Sequence, residues 1–193
     1  FKNNFELIYK DFSEIDHSNL DQIKKKYFNN LSIYNFNEKC VVDKAPLNFK
    51  WIGLILKIMP SSKIIHCRRD PMDVCWSNYK NYFSSNKLNF TYKFENLAKY
   101  YSFYIDLMDF WSKQFKDKIY HLDYEKIVNN SEDEIKKIIN YCGIDWDENC
   151  LTFYKNKKSV STASLAQVRK PIYKSSIKQW ENYKNDLDPL KKI

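Results

Sequence analysis

At 193 residues and 23.4 kDa the chain has the length of one domain, and its 44% hydrophobic and 17% aromatic residues supply a core and exclude disorder. No apolar run approaches the roughly 20 residues of a membrane span, and Asp11, Glu14 and Asp16 in the first twenty positions exclude a secretory signal. The net charge of +8 is concentrated at one end: residues 151–193 hold 10 basic and 3 acidic side chains, an anion-binding surface for nucleic acid or a phosphorylated small ligand, although 29 lysines and 20 asparagines also fit compositional drift.

In chain order, residues 5–12 and 19–30 are predicted helices, the second opened by a capping box of Ser18 and Asp21. Residues 39–43 form a short apolar run and read as a buried first strand. Leu47, Trp51, Leu54, Ile55 and Ile58 recur at helical spacing before Pro60. A second strand covers 63–67. Asp70 as cap, Pro71 in first position and Asp73 in third mark the start of a helix running to about Phe83. A long aromatic helix follows over 94–115 and a third strand over 119–123. Ser131-Glu132-Asp133-Glu134 resembles another capping box, in a helix that Gly143 ends. A short helix is predicted over 147–155, a loop over 156–175 and a last helix over 176–183. Strands separated by helices imply parallel pairing in an α/β layer fold, whose ligands sit at the carboxyl ends of the strands.

Only Gly53 and Gly143 are glycines, so neither a P-loop nor a dinucleotide fingerprint can be written within these residues. Five cysteines, at 40, 67, 75, 142 and 150, form no CxxC pair and lack histidines at zinc-site spacing. They read as reduced, mostly buried thiols of a cytoplasmic protein without a metal.

Of the 32 basic residues only Arg68, Arg69 and Arg169 are arginines. In so lysine-rich a chain, a retained guanidinium suggests bidentate binding of phosphate or carboxylate, which lysine copies badly. Arg69 stands where a strand hands over to a helix N-terminus, itself an anion site. Ser77, two turns past Asp70, lies on the same helix face, so one phosphate could touch Arg69 and Ser77. The competing structural reading pairs Arg69 with Asp73. In Gln167-Val168-Arg169-Lys170-Pro171 the proline drives Lys170 to extended backbone, turning Arg169 and Lys170 apart. By spacing alone that segment is a solvated basic loop.

The stretches Asp43-Lys44-Ala45-Pro46-Leu47-Asn48-Phe49 and Ile64 to Ser77 resemble the sulfotransferase family, in particular the bacterial branch often fused to tetratricopeptide repeats, which is similar to the tyrosylprotein sulfotransferases. The likeness continues through Tyr124-Glu125, Tyr141 to Trp146, Thr162-Ala163-Ser164 and the Arg169-Lys170-Pro171-Ile172-Tyr173 segment to Trp180. It implies a three-layer parallel sheet of the P-loop nucleoside triphosphate hydrolase and sulfotransferase type. It also implies transfer of the sulfuryl group of 3′-phosphoadenosine 5′-phosphosulfate to the hydroxyl or amine of a small-molecule or peptide acceptor, with no metal. By the same resemblance Arg69 and Ser77 hold the nucleotide 3′-phosphate, and Arg169 and Lys170 close on it. Tyr124 lies near the adenine, Ser164 near the phosphosulfate, and Lys44 stabilises charge on the bridging oxygen.

Two family features are missing from these residues. There is no Ser-Gly-Thr-Thr-like turn for the 5′-phosphosulfate, and Pro46 stands where the cytosolic branch carries its basic histidine. His66 and His121 read as core residues of their strands. The expectation is therefore a single sulfotransferase domain over 1–193, incomplete at its N-terminus, keeping the 3′-phosphate half of the site and inactive as it stands. An uncovered sheet edge would attract another chain, so a homo-oligomer or upstream tetratricopeptide repeats are the expected company, and a membrane or nucleic acid is not. Two alternatives stay open: a non-catalytic nucleotide-binding module, and a nucleic-acid binder using the basic C-terminal segment.

Overall fold

The computed structural model describes residues 10–11, 14–34, 40–83, 86–156 and 168–192. They fall into two compact units, one of residues 1–64 and 103–119 and one of residues 65–102 and 120–193.

In the first unit, helix α1 (His17–Ser32) begins after Asp16, and Ser18 Oγ donates back to Asp16 Oδ2. The expected capping box is thus not formed: Ser18 lies inside the helix. The helix expected over 5–12 falls largely outside the described residues. Cys40–Asp43 is no strand. Val41 and Val42 are 43% and 83% exposed, and the segment has no ladder partner among the described residues. A three-residue apolar run was too short to fix a burial pattern. Instead Asp43 Oδ2 accepts from Tyr27 Oη of α1 at 3.0 Å. Burial first, and then this carboxylate, push the Tyr27 hydroxyl pKa up.

Pro46–Trp51 is a 3-10 helix that runs into α2 (Ile52–Ile58). Its apolar face meets the C-terminal part of α4 (Phe94–Gln114), where Leu107, Met108 and Trp111 share one face at spacings of one and three to four residues. Ile52, Leu56, Leu107, Met108, Trp111 and Ile119 form this core, with Phe49, Phe103, Tyr104 and Phe115 packed around it. Trp111 buries all but 2% of its surface and donates its indole N–H to the Phe49 carbonyl at 2.9 Å.

Strands β1 (Ile64–Arg68) and β2 (Ile119–Asp123) are the two strands among the described residues. Ile64 N–H bonds the Lys118 carbonyl, His66 faces His121 and Arg68 meets Asp123. Both numbers rise together, so the pair is parallel. The expected sheet of three strands is therefore a sheet of two, in an α/β fold that is mostly helical.

His66 Nδ1 and His121 Nδ1 lie 2.9 Å apart, half-buried. One ring must donate and the other accept, so the pair holds one proton between them and resists a second. Burial, then the charges of His121 and Arg68, lower the His66 pKa from 6.5 to about 4, against an opposing pull from Asp123. A histidine depressed in the folded state contributes stability that is whole above pH ~6.5 and lost as pH falls toward ~4. The melting temperature is expected to be level from pH 8 to 7 and to fall below pH ~6.5. The loss is on the order of 1–2 kcal/mol, because solvent reaches one side of the pair. Thermal scans of the chain and of His66→Gln, whose curve should be flatter between these limits, check it.

In the second unit, α3 (Pro71–Tyr79) is followed by a 3-10 helix over Asn86–Tyr92 and the N-terminal part of α4. Helix α3 stops four residues before the predicted Phe83. A short helix, α5 (Tyr124–Asn129), follows β2 directly and leads to α6 (Ser131–Cys142). At the α6 start Ser131 Oγ turns back to the Ile127 carbonyl, and Asn130 Nδ2 donates to Asp133 Oδ2 at 2.8 Å, so no Ser131 capping box forms. Gly143 follows α6 at φ 69°, and Ile144 N–H closes on the Ile139 carbonyl. That left-handed position crowds a Cβ. Gly143→Ala is expected to cost about 1 kcal/mol in a denaturant titration.

The rest of this unit is a 3-10 helix over Glu148–Lys155, the turns of 168–178, and 3-10 helices over Gln179–Tyr183 and Asp188–Lys192. Of the cysteines, Cys40 and Cys67 are exposed and only Cys75 is buried, contrary to the expectation of mostly buried thiols. Burial, then Asp70, push the Cys75 thiol up to about 12. Among the described residues no helix is long and apolar enough to cross a membrane, and no three metal-ligating side chains cluster.

Candidate functional site

The site lies wholly within the second unit. β1 ends at Arg68, and the chain turns through Arg69 and Asp70 into α3. Asp70 Oδ1 caps the helix by accepting from Asp73 N–H at 2.9 Å, with Pro71 in first position. Asp70 N–H is taken by Glu125 Oε1 at 3.0 Å. Two of the amides at the helix start expected to serve an anion, those of Asp70 and Asp73, are thus already taken by the protein's own carboxylates.

The two adjacent arginines part company. Arg68 Nε and Nη2 both reach Asp123 Oδ1, at 2.8 and 2.7 Å, while Lys126 Nζ takes Oδ2 at 2.8 Å. The Lys126 hydrogen bond first, and then Arg68, hold the Asp123 carboxyl below its usual range. Arg68 therefore ties the ends of β1 and β2 together, its partner being a carboxylate and not a phosphate.

Arg69 turns to a cavity of about 530 Å³. Its Nη2 donates to the Ser176 carbonyl and lies 3.4 Å from Asp73 Oδ2, and its Cζ stands 5.0 Å from the Tyr124 ring centroid. Its Nε is buried without a hydrogen-bond partner among the described residues. A buried donor left unpaired costs about 1–3 kcal/mol, so the arginine carries an unspent hydrogen bond. The Asp73 pairing weighed from sequence is present, yet it occupies only one side of the fork.

Arg69, Ser77, Tyr124 and Lys170 all border this cavity, together with Lys80, Trp76, Phe153 and Tyr173. Lys80 Nζ is held by Gln179 Oε1 at 3.0 Å. The one carboxylate on the wall, Asp73, has no exposed side-chain surface, and its oxygens are engaged by Lys178 N–H, Trp180 N–H and Arg69. Three cations, one neutralised acid and several aromatic faces suit a phosphorylated aromatic ligand. A second cavity of about 310 Å³ shares Phe153, Pro171 and Ile172 with the first but has Glu132 and no cation on its wall, so it is no anion site.

Arg169 is not among the residues bordering the larger cavity. Lys44 belongs to the first unit, exposed, with no strand before it among the described residues. Ser164 lies outside the described residues. Sequence reasoning gave no role to Trp76, Lys80 or Tyr173 on the wall, and it read Asp73 as a helix-start residue or as the partner of Arg69. The i, i+4 spacing of Arg69 and Asp73, and of Asp73 and Ser77, was the available signal.

Over residues 8–148 the sequence matches the sulfotransferase family. An uncharacterized protein of Aquifex aeolicus (strain VF5) is 33% identical over 182 residues, covering 93% of this chain and 24% of that protein. The chain thus spans about a quarter of the length of that relative. The chain belongs to the sulfotransferase family.

Proposed function

We propose that this chain provides the nucleotide 3′-phosphate site of a transferase that moves the sulfuryl group of 3′-phosphoadenosine 5′-phosphosulfate to an acceptor hydroxyl or amine. The observation that carries it is that Arg69 and Ser77 border one cavity with Lys170, which is far from them in sequence. A phosphate there takes guanidinium N–H groups from Arg69, a hydroxyl from Ser77 and the Lys170 ammonium. Trp76, Tyr124, Phe153 and Tyr173 offer ring faces to a purine.

In the transfer, the bond between sulfur and the bridging oxygen breaks, a bond from sulfur to the acceptor oxygen or nitrogen forms, and the acceptor gives up its proton to water. Adenosine 3′,5′-bisphosphate leaves with the electron pair. Such a step depends on positioning and on cations near the departing oxygens. We assign the cationic role to Lys44 and a place near the phosphosulfate to Ser164, both on the family resemblance alone; Arg169 is assigned to the loop that follows the 3′-phosphate. These residues contain no Ser-Gly-Thr-Thr-like turn for the 5′ side, so we expect this chain to bind the bisphosphate product without turning over.

Calorimetry tests the reading. Adenosine 3′,5′-bisphosphate should bind in the micromolar to millimolar range, about −8 to −4 kcal/mol, and more tightly than adenosine 5′-monophosphate. Equal affinities would defeat it. An oligonucleotide whose affinity exceeds that of the bisphosphate and falls steeply with salt would favour the nucleic-acid reading instead.

A further inference from the structure

We propose that Asp73 is a positioning residue of this site: its buried carboxylate aims the Arg69 fork and ties it to the 176–180 turn, so that phosphate binding and ordering of that turn are coupled. The proposal rests on the reading of the cavity as a 3′-phosphate site.

A fully buried carboxylate is expensive unless every lone pair is used. Asp73 has no exposed side-chain surface, and two of its partners are main-chain amides more than 100 residues away in sequence. Oδ2 accepts from Lys178 N–H at 2.7 Å and Oδ1 from Trp180 N–H at 3.3 Å. Lys178 sits at φ 58°, a left-handed conformation disfavoured for a residue with a Cβ, and its amide is the one the carboxylate captures. Arg69 meets the same turn from the other side by donating Nη2 to the Ser176 carbonyl.

The turn is therefore gripped twice, through its N–H groups by Asp73 and through a carbonyl by Arg69. Because Asp73 stands on the first turn of α3, four residues after Arg69, the grip is anchored to a helix. Its effect on the guanidinium is directional. Nη2 is turned to the protein, while Nε has no hydrogen-bond partner among the described residues. Ser175, Ser176 and Gln179 also border the cavity, so loosening the turn would alter the wall and the arginine together.

A residue that merely stabilises the fold would affect all nucleotides alike. A positioning residue acts on the 3′-phosphate. In the purified chain, Asp73→Asn is expected to weaken adenosine 3′,5′-bisphosphate about tenfold or more, and adenosine 5′-monophosphate by no more than about twofold. The chain has three arginines, so proton–nitrogen NMR resolves three side-chain Nε–H signals, and Arg69→Lys identifies the one for Arg69. Asp73→Asn should move that signal.

An equal loss for both nucleotides, or an Arg69 signal unmoved by Asp73→Asn, would overturn the proposal. If the unaltered chain fails to prefer the bisphosphate, the 3′-phosphate reading falls, while a moved Arg69 signal would still support the grip of Asp73 on Arg69. Should Asp73→Asn not fold, hydrogen exchange on the unaltered chain decides. The Lys178 and Trp180 amides should exchange more slowly with the bisphosphate than with the monophosphate, and identical rates would overturn the coupling.

Discussion

Replacing Arg69 with alanine is expected to weaken adenosine 3′,5′-bisphosphate by about 10–100-fold, since each charge-assisted hydrogen bond lost contributes on the order of 1.5–3 kcal/mol. Adenosine 5′-monophosphate, which lacks the 3′-phosphate, should change far less. Alanine also removes one partner of the buried Asp73 carboxylate, although the Lys178 and Trp180 amides remain. Arg69→Lys is the sharper variant. It keeps a cation for Asp73 but has no Nε–H, and an ammonium cannot reach the Ser176 carbonyl, Asp73 and a phosphate with one fixed plane. Its bisphosphate affinity should lie nearer to that of alanine than to that of the unaltered chain. Calorimetry on the three proteins, with circular dichroism to verify folding, measures this.

Trp111→Ala is expected to produce the largest loss of stability, about 3–5 kcal/mol. Trp111 is 2% exposed, at the centre of the first unit's core, and holds the Phe49 carbonyl through its indole N–H. That loss is a large part of the 5–15 kcal/mol available to an ordinary domain. Trp111→Phe keeps most of the buried ring but loses the hydrogen bond to the Phe49 carbonyl, so it should cost about 1–2 kcal/mol. Urea titrations that place both variants within a few tenths of the unaltered chain would show that this core is not what holds the unit.

The legible parts of the fold were those where side-chain chemistry acts on neighbouring backbone. Asp70-Pro71 with Asp73 announces α3 because cap and proline act within one turn, and the cap bond is present. Gly143 ends α6 because only a glycine occupies φ 69° without strain. The long spacing pattern of α4 was equally plain. Cys40–Asp43 failed for the opposite reason: a strand is defined by a partner elsewhere, and Val42 proves exposed. Asp123-Tyr124 gave no helix signal because α5 is six residues long and lacks a side-chain cap.

At the site, sequence spacing brought out Arg69 and Ser77, about two helix turns apart, and the family resemblance added Tyr124 and Lys170 across distances that no local pattern measures. The partner of Arg68 was not legible in the sequence, because Asp123 stands beside it only once β1 and β2 pair. Asp73 was visible as an acid in a first turn and as a partner for Arg69. Its partners at Lys178 and Trp180 arrive from a segment about 100 residues later, and main-chain donors leave no trace in a sequence.

The most direct measurement is a crystal structure of this chain with adenosine 3′,5′-bisphosphate. The account predicts 3′-phosphate oxygens within about 3 Å of Arg69 Nε and Ser77 Oγ, with Lys170 on the same phosphate and Asp73 still bonded to Lys178 N–H. A nucleotide that binds with its 3′-phosphate away from Arg69, or that leaves Arg69 Nε unpartnered, would contradict it.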